Sequence, residues 1–337
     1  MLKDLVKRGL YSSGLLGLYH RVRNADTLTV VMFHRVLDER DPRWAVCDPD
    51  YTLPVPVFEA ALEMLRRHYN IVSLDQVRQA RQGRALPARA LLLTFDDGWA
   101  DNADYALPVL RRAGLPAVMF VVAGAVGRRQ PFFQEQLVSA YRRGRLPLER
   151  LAAALGAPAG DGHGVPGLGV LRGLIDRLEQ LGPSERMDAL AEFDGCLDDG
   201  LRHMADEDEL RALGLGGVAL GLHGMTHAPI TRAVDPGTEL EGARLALESR
   251  LEGRAEVLPV MSFPYGEHDQ ALAERARAGG YELVFTSVPV LNDTQRAPSW
   301  LLGRTGFETA TVVDRRGRFR PDWLALYLFR KPKAGAA

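Results

Sequence analysis

Short apolar runs alternate with helical patterns along this chain of 337 residues. The runs 28–33 and 90–93 are followed by helical patterns at 58–68 and 103–112. Alternation of this kind favours a parallel sheet joined by crossover helices, so the predicted fold class is α/β. Further strand-like runs lie at residues 71–73, 117–123, 218–222 and 257–261, and a short helix is predicted to begin at Leu74.

The pentapeptide TFDDG at residues 94–98 places Asp96 and Asp97 directly after a buried run. Two carboxylates at a strand end are costly without a counter-charge. Neighbouring strand side chains point to opposite faces, so one carboxylate can bind a cation while the other faces a substrate. A solvated turn or a helix N-cap uses the same composition, and both interpretations stay open on this motif alone.

A second motif, HGMTH at residues 223–227, follows the run 218–222. Its two histidines are four residues apart, so they can share one face of a helical turn and close on one cation. Zinc proteases require Glu after the first His, and Gly224 occupies that position. Together with Asp97, His223 and His227 supply the open three-ligand set of a hydrolytic metal site.

Two further strand-like runs end in residues that can take part in catalysis. In SFPYG, residues 262–266, Pro264 and Gly266 can fix a turn that aims the Tyr265 N–H at a developing oxyanion. His34 follows the run 28–33, although a single His at a strand end is more often structural. Parallel α/β sheets gather their chemistry at the carboxyl ends of strands, which favours a shared site.

The three motifs in this order resemble those of the polysaccharide deacetylases, also called the NodB-homology or carbohydrate esterase 4 family. The resemblance covers roughly residues 25–305, without a long insertion. It implies an irregular (β/α) barrel of about seven strands and a divalent metal, with Zn²⁺ the expected ion. It also implies hydrolysis of N-acetyl groups on amino sugars.

The resemblance assigns a role to each matching position. Asp96 would be the general base, and Asp97, His223 and His227 would be the metal ligands. Tyr265 would be the oxyanion donor.

The chain departs from the family pattern in its general acid. The C-terminal Leu-x-His motif that supplies the acid is absent, because no His follows His268. The sequence MFHRV at residues 32–36 is similar to the N-terminal motif of poly-N-acetylglucosamine deacetylases, which makes His34 the candidate acid.

A second departure concerns the groups that orient the base and tune the acid. Ser262 stands near the position of the family's base-orienting Arg, and Arg304 is a candidate substitute, with a surface or salt-bridge role as the alternative. For the Asp that tunes the acid, Asp293 and an ordinary Asn-Asp turn at that position are equally compatible with the sequence.

Composition agrees with one large soluble α/β domain: 46% of residues are hydrophobic and 25% are charged. A net charge of −1 argues against general nucleic-acid binding. Cys47 and Cys196 do not suggest a disulfide framework and are predicted to be free thiols, as in a reducing compartment. No secretory signal or membrane-spanning run is visible, so we expect a cytoplasmic location, at the inner face of the membrane if the termini bind lipid.

Three segments flank or interrupt the predicted deacetylase barrel over residues 25–310. Residues 1–24 read as an amphipathic helix, and 311–337 as a basic and aromatic tail; peripheral membrane contact and packing on the barrel are the alternatives for both. The insertion 128–214 is mostly helical in pattern. It is predicted to form either a lid for substrate recognition or helices that cover the barrel. It carries a Gly-rich patch at 160–169, and its His163 and His203 are predicted to lie on solvated surface.

The predicted protein is a metal-dependent hydrolase that removes an N-acetyl group from an amino sugar. Its expected partner is a glycan or a lipid-linked or nucleotide-linked precursor. A deformylase, an O-acetyl esterase and a non-catalytic sugar-binding protein are the alternatives.

Overall fold

The computed structural model describes residues 2–157, 167–295 and 298–334. These residues form two compact units. The barrel unit comprises Met1–Leu37, Asp50–Gly127 and Met204–Ala337, and the helical unit comprises Asp38–Pro49 and Arg128–His203. His163 and most of the Gly-rich patch 160–169 lie outside the described residues.

The strands belong to the barrel unit. In chain order they are β1 (Thr27–Phe33), β2 (Arg35–Leu37), β3 (Thr52–Pro54), β4 (Asn70–Ile71), β5 (Ala90–Phe95), β6 (Ala117–Val121), β7 (Val218–Leu222), β8 (Val257–Ser262), β9 (Leu283–Phe285), β10 (Asn292–Asp293), β11 (Leu301–Leu302) and β12 (Thr305–Gly306).

The principal sheet has the strand order β10-β1-β5-β6-β7-β8-β9-β11, with β4 paired to β5 and β12 paired to β1. Its pairings are parallel except that of β1 with β10. Because β11 pairs with β9 and the next strand, β12, pairs with β1, the sheet is nearly closed. The predicted (β/α) barrel is confirmed, with eight strands in this path.

Helices connect and cover the strands of the barrel unit or form the helical unit. The α-helices are α1 (Leu2–Ser12), α2 (Leu15–Arg23), α3 (Val55–His68), α4 (Leu74–Arg81), α5 (Leu107–Ala113), α6 (Phe133–Arg142), α7 (Leu148–Ala154), α8 (Leu168–Gln180), α9 (Pro183–Leu190), α10 (Asp194–Leu197), α11 (Glu207–Leu215), α12 (Ala243–Arg250), α13 (Gln270–Ala278), α14 (Thr309–Val312) and α15 (Pro321–Phe329). Single turns of 3₁₀-helix or π-helix lie at Pro42–Ala45, Asn102–Ala106, Ala123–Ala125, Ala191–Phe193, Ile230–Arg232, Thr238–Gly242 and Pro264–Gly266.

Alternation along the strands sorts the apolar side chains of the barrel unit into two clusters. In β5, Leu91 and Leu93 belong to the cluster that includes the covering helices, whereas Leu92 belongs to a second cluster with Phe120 and Phe285. Both faces of β5 are therefore buried, as is usual where helices cover a parallel sheet. Asp96 continues the alternation from Leu92, so its carboxylate enters the barrel interior at the strand end.

The helical unit has its own hydrophobic core, centred on leucines such as Leu137, Leu171 and Leu178, all 0% exposed. The loop 38–49, which the sequence did not link to the insertion, joins this unit through an ion pair from Arg172 to Asp48. His203 does not lie on solvated surface as predicted. It is 0% exposed, and its Nε2 lies 2.9 Å from Asp199 Oδ2. The carboxylate gives the buried ring a hydrogen-bond partner, so the ring does not need contact with solvent.

The N-terminal segment forms two helices where one was predicted, because Gly14 adopts a left-handed φ of 79° between α1 and α2. Helix α1 packs against α15, and α2 packs against α3 and α15. In the described residues, no helix is both long enough and apolar enough to cross a bilayer.

His20 anchors α2 to the barrel unit. Its ring is stacked on Phe329, with centroids 4.0 Å apart, and the Asn24 amide donates to its Nδ1 at 2.8 Å. Its Nε2 is buried with no hydrogen-bond partner among the described residues. Burial, and then the nearby His68 and Arg89, lower the pKa of His20 to about 3.

This lowered pKa predicts an acid-sensitive contribution of His20 to stability. The unfolded chain binds a proton near pH 6.5 and the folded chain only near pH 3, so the contribution is present above pH 6.5 and is lost as the pH falls toward 3. His20→Phe keeps the stacking but cannot titrate. The free energy of unfolding of the wild type should therefore fall relative to that of the variant, by up to about 1.4 kcal/mol per pH unit. Parallel curves for the two proteins would contradict this account.

Candidate active site and metal centre

The site lies where parallel strands end. His34 follows β1, Asp96 and Asp97 follow β5, and His223 follows β7. Tyr265 lies three residues after β8 ends at Ser262. Because these strands are parallel, their carboxyl ends share one edge of the sheet.

Backbone strain is concentrated in this site. Among the described residues, four that are not glycine have positive φ: Arg89 at 52°, Asp97 at 78°, His227 at 64° and Tyr265 at 59°. Three of the four are predicted site residues. Left-handed conformations of such residues cost free energy and occur where function requires a fixed side-chain direction. A solvated turn would not require this strain, which favours the functional interpretation.

Asp97, His223 and His227 converge on one point. The Asp97 Oδ1 lies 3.4 Å from His223 Nε2 and 3.2 Å from His227 Nε2. All three ligand atoms lie within 4.8 Å of one another. Bonds of about 2.0–2.1 Å in a tetrahedral site separate ligand atoms by about 3.3 Å, so the spacing suits a small divalent cation.

The chemistry of these atoms also fits a cation. Asp97 Oδ1 is buried with no hydrogen-bond partner among the described residues. The His223 Nδ1 lies 2.9 Å from the Ser262 carbonyl oxygen and must donate its proton there, so its Nε2 presents a lone pair toward Asp97. A buried acceptor facing another acceptor is unfavourable unless a cation lies between them.

Hydrogen bonds from outside the triad fix its orientation. The Trp99 Nε1–H donates to Asp97 Oδ2 at 2.8 Å, which leaves Oδ1 to face the two imidazoles. Glu239 is 5% exposed and accepts from Met225 N at 2.7 Å and from the Thr226 hydroxyl at 2.6 Å. Glu239 therefore holds the loop between the two histidines.

That loop is not the helical turn anticipated for the two histidines. No helix covers residues 223–229, and the left-handed φ of His227 turns its ring back toward Asp97. Gly224, at φ 77°, lets the loop pass Glu239, because a Cβ there would lie 2.9 Å from its carboxylate oxygen.

Asp96 is held by a guanidinium. Arg304 is 1% exposed and donates from Nη1 to Asp96 Oδ1 at 2.7 Å and from Nη2 to Oδ2 at 2.8 Å. Its Nε donates to the Thr286 carbonyl oxygen at 3.1 Å, and Nη2 also reaches Ser262 Oγ at 2.5 Å. The structure thus places Arg304 in a bidentate pair with Asp96, which a surface role would not require.

The two adjacent carboxylates are both held ionised, by different groups. Burial favours the neutral acid, but the Arg304 guanidinium holds the pKa of Asp96 below its usual range. Burial likewise opposes ionisation of Asp97, and His227 overcomes it, so its pKa is also lowered. Burial lowers the pKa of His223 although Asp96 and Asp97 oppose it, which keeps the imidazole neutral, the form that binds metals.

His34 lies beside the two carboxylates. It lowers the pKa values of Asp96 and Asp97 electrostatically, and its ring meets that of Tyr51 edge-on at 5.1 Å. The Asn102 side chain donates to the His34 carbonyl oxygen at 2.9 Å. Arg35, the residue after His34, is buried and pairs with Asp101 at 2.7 Å. Together with the Asn102 hydrogen bond, this ion pair fixes the backbone around His34.

Tyr265 lies beside His227 of the triad. Its ring is 5.0 Å from that of His227, and its side chain is 37% exposed. The left-handed turn continues into Gly266, where a Cβ would lie 2.5 Å from the Ser287 side chain. Only glycine therefore fits directly after Tyr265.

A cleft of about 290 Å³ opens beside His34 and Arg304. Its lining combines aromatic, hydroxyl and acidic side chains, among them Tyr51, Ser287, Glu308 and Tyr327. Such a mixture suits a polar ligand with ring faces.

Asp293 does not lie at this edge. It pairs with Thr27 at the start of β1, and β1 runs seven residues before His34, about 20 Å at 3.3 Å per residue. Its carboxylate instead accepts from Gln295 N at 2.9 Å, as a local turn would. Of the two alternatives left open for Asp293, the structure therefore supports the ordinary turn.

Sequence reasoning missed Trp99, Asp101 and Glu239. Trp99 and Asp101 are close to the TFDDG motif, so proximity was an available signal for them. Glu239 lies twelve residues after His227 in an exposed-looking acidic stretch, and no local pattern marks it as buried.

Comparison with known proteins supports the resemblance to the polysaccharide deacetylases. A family profile described as polysaccharide deacetylase matches residues 83–163. The protein YxkH of Bacillus subtilis (strain 168) is 25% identical over 112 residues. Its name describes it as a polysaccharide deacetylase by assignment, not by demonstration. The matched residues are 33% of this chain and 37% of that protein, so the match spans little more than a third of the relative.

Three solved structures share the fold. IcaB from Ammonifex degensii has a TM-score of 0.55 at 18% identity, over 90% of this chain and 97% of that one. The Streptococcus pyogenes deacetylase PplD, solved in complex with acetate, has a TM-score of 0.55 at 14% identity, over 90% and 98%. A de-N-acetylase from Aggregatibacter actinomycetemcomitans has a TM-score of 0.51 at 17% identity, over 84% and 95%. Identities this low establish the fold alone. The profile match over residues 83–163 agrees with the resemblance to the polysaccharide deacetylases.

The role of Glu239 predicts a selective loss of metal affinity. Glu239→Ala removes the acceptor that holds residues 225 and 226, so His227 should lose its orientation. Affinity for Zn²⁺, measured by competition with a chromogenic chelator, should fall on the order of tenfold or more.

Glu241→Ala is the matched control, since Glu241 lies on the same turn but pairs with Arg275 at 3.6 Å. Equal metal affinity in both variants, or equal loss of melting temperature without metal, would assign Glu239 a structural role only.

Proposed function

We propose that the protein is a metal-dependent hydrolase that removes an N-acetyl group from an amino sugar of a polysaccharide or glycan precursor. One observation carries this proposal: a carboxylate that is paired with Arg304 lies directly beside the metal triad. The Asp96 Oδ2 is 4.0 Å from His223 Nε2, yet both of its oxygens are bound by Arg304. A metal triad with an adjacent, ionised and independently held base is an arrangement suited to metal-assisted amide hydrolysis.

Asp97, His223 and His227 would hold the metal. When bound there, a divalent cation supplies Lewis-acid polarisation of the amide carbonyl and lowers the pKa of water. Zn²⁺ suits this donor set of two imidazole nitrogens and one carboxylate oxygen.

Asp96 acts as the general base in this proposal. It takes a proton from the attacking water while the new C–O bond forms at the acetyl carbon. The lowered pKa keeps the carboxylate ready to accept that proton at neutral pH, and the guanidinium fixes its direction. Ser262, where a base-orienting Arg was expected, instead receives a hydrogen bond from Arg304 and helps to hold it.

Tyr265 and His34 complete the reaction in this proposal. The Tyr265 N–H stabilises the oxyanion that develops on the carbonyl oxygen. His34 protonates the amine nitrogen as the C–N bond breaks, so that acetate and the free amino sugar leave. The fixed backbone around His34 suits a group that must meet the leaving nitrogen.

The substrate is proposed from the cleft and from the relatives. Aromatic faces and polar groups beside His34 suit a sugar ring. The similar structures include a de-N-acetylase and a deacetylase solved with acetate, which supports an acetyl group. Lipid-linked and nucleotide-linked amino sugars are the precursors to test first.

The assay is release of acetate, and in parallel of formate, from a panel of N-acylated and O-acetylated amino sugars. We expect the protein loaded with Zn²⁺ to release acetate from N-acetyl substrates. Asp96→Asn and His34→Ala should each lower kcat by about 10²–10⁴-fold while metal content stays near that of the wild type, because neither residue is a proposed ligand.

Three results would contradict parts of this proposal. Formate or ester cleavage without N-deacetylation would reassign the reaction. Loss of metal in Asp96→Asn would make Asp96 a ligand. A near-normal rate in His34→Ala would remove His34 as the acid.

A further inference from the structure

Helix α2 exposes a complete apolar stripe. Leu15, Leu18, Tyr19 and Val22 follow one another at helical spacing, and their exposed fractions are 56%, 58%, 43% and 74%. The opposite face is already packed, since Leu16 and His20 are buried. An amphipathic helix normally buries its single apolar stripe, whereas this second stripe stays exposed among the residues that the structure describes.

Helix α1, which contacts α2, also exposes apolar side chains. Leu5 is 63% exposed, Val6 53% and Leu10 37%. Together with the four α2 residues, these three form what we call the N-terminal apolar patch.

The N-terminal apolar patch is held firmly in place. The Arg23 guanidinium donates to the Phe329 carbonyl oxygen at 3.1 Å and to the Lys331 carbonyl oxygen at 2.9 Å. The Asn24 amide also donates to the Phe329 carbonyl oxygen, at 3.0 Å. Because the inner face is locked to α15 by these bonds and by the His20 stacking, α2 cannot roll to bury its outer stripe.

Charge around the patch differs from that of the remaining chain. Residues 1–24 hold five basic side chains and one acidic, a net charge of +4, whereas the whole chain is −1 and the remainder is therefore −5. Arg8 and Arg21 are exposed, as is Arg330 just after α15. The apolar patch thus carries a basic border on an otherwise acidic protein.

We propose that the N-terminal apolar patch docks on the surface of an anionic lipid bilayer. A one-helix-wide apolar stripe with an interfacial Tyr and basic flanks is the chemistry of an interfacial helix. A second copy of the chain is disfavoured, because a two-fold contact would bring two basic borders together. Helices of 11 and 9 residues can lie on a bilayer but are too short to span it. This inference does not depend on the proposed activity.

The test is flotation with vesicles of phosphatidylcholine alone or mixed with phosphatidylglycerol, at low and high salt. Wild-type protein should float with the anionic vesicles at low salt and stay below with the neutral ones. Leu18→Asp and Val22→Asp should each reduce the floated fraction roughly tenfold. Leu245→Asp, at a site that is 66% exposed on α12, is the matched control and should float as the wild type does.

A charge variant keeps the test valid if an apolar variant fails to fold. Arg8→Glu with Arg21→Glu changes only exposed side chains and should also abolish flotation. Patch variants that float as well as the control, or equal binding to neutral vesicles, would overturn the proposal. A wild-type dimer in solution that Leu18→Asp converts to monomer would also overturn the proposal. Release of acetate from a soluble substrate should be unchanged in all these variants, which separates this inference from the proposed activity.

Discussion

A buried carboxylate oxygen that faces two imidazole nitrogens is the interaction on which the rest of the site depends. Asp97 Oδ1 has no hydrogen-bond partner among the described residues and lies 3.4 Å from His223 Nε2 and 3.2 Å from His227 Nε2. Burial of this carboxylate carries a desolvation cost that the facing imidazoles must offset. The chain also adopts left-handed backbone at Asp97 and His227 to achieve this arrangement. Costs of both kinds, at one place, are typical of a functional site.

The neighbouring carboxylate shows how one dipeptide can supply two functions. Successive residues at the end of a strand point in different directions, so Asp96 enters the barrel interior while Asp97 turns to the histidines. Arg304 occupies both oxygens of Asp96 and keeps it ionised without making it a ligand. Closure of the sheet makes this contact possible, because Gly303 and Arg304 link the strand beside β9 to the strand beside β1.

Local sequence patterns predicted the strands that lead to the site. The features that these patterns did not predict depend on contacts between segments that are distant in the sequence. The apolar runs before Asp96 and His223 predicted β5 and β7, since a buried parallel strand has a recognisable composition. The buried positions of Glu239 and His203 depend on partners that the sequence does not bring near. The histidine pair was expected on a helical turn because spacing alone does not reveal the left-handed φ of His227.

X-ray absorption at the metal edge, followed by an anomalous difference map from a crystal of the metal-loaded protein, tests the central claim most directly. We predict one cation bonded to the Nε2 atoms of His223 and His227 and to an Asp97 oxygen, at about 2.0–2.2 Å. Asp96 should remain paired with Arg304 and outside bonding distance. A cation bound elsewhere, or bonded to Asp96 in place of Asp97, would contradict the account.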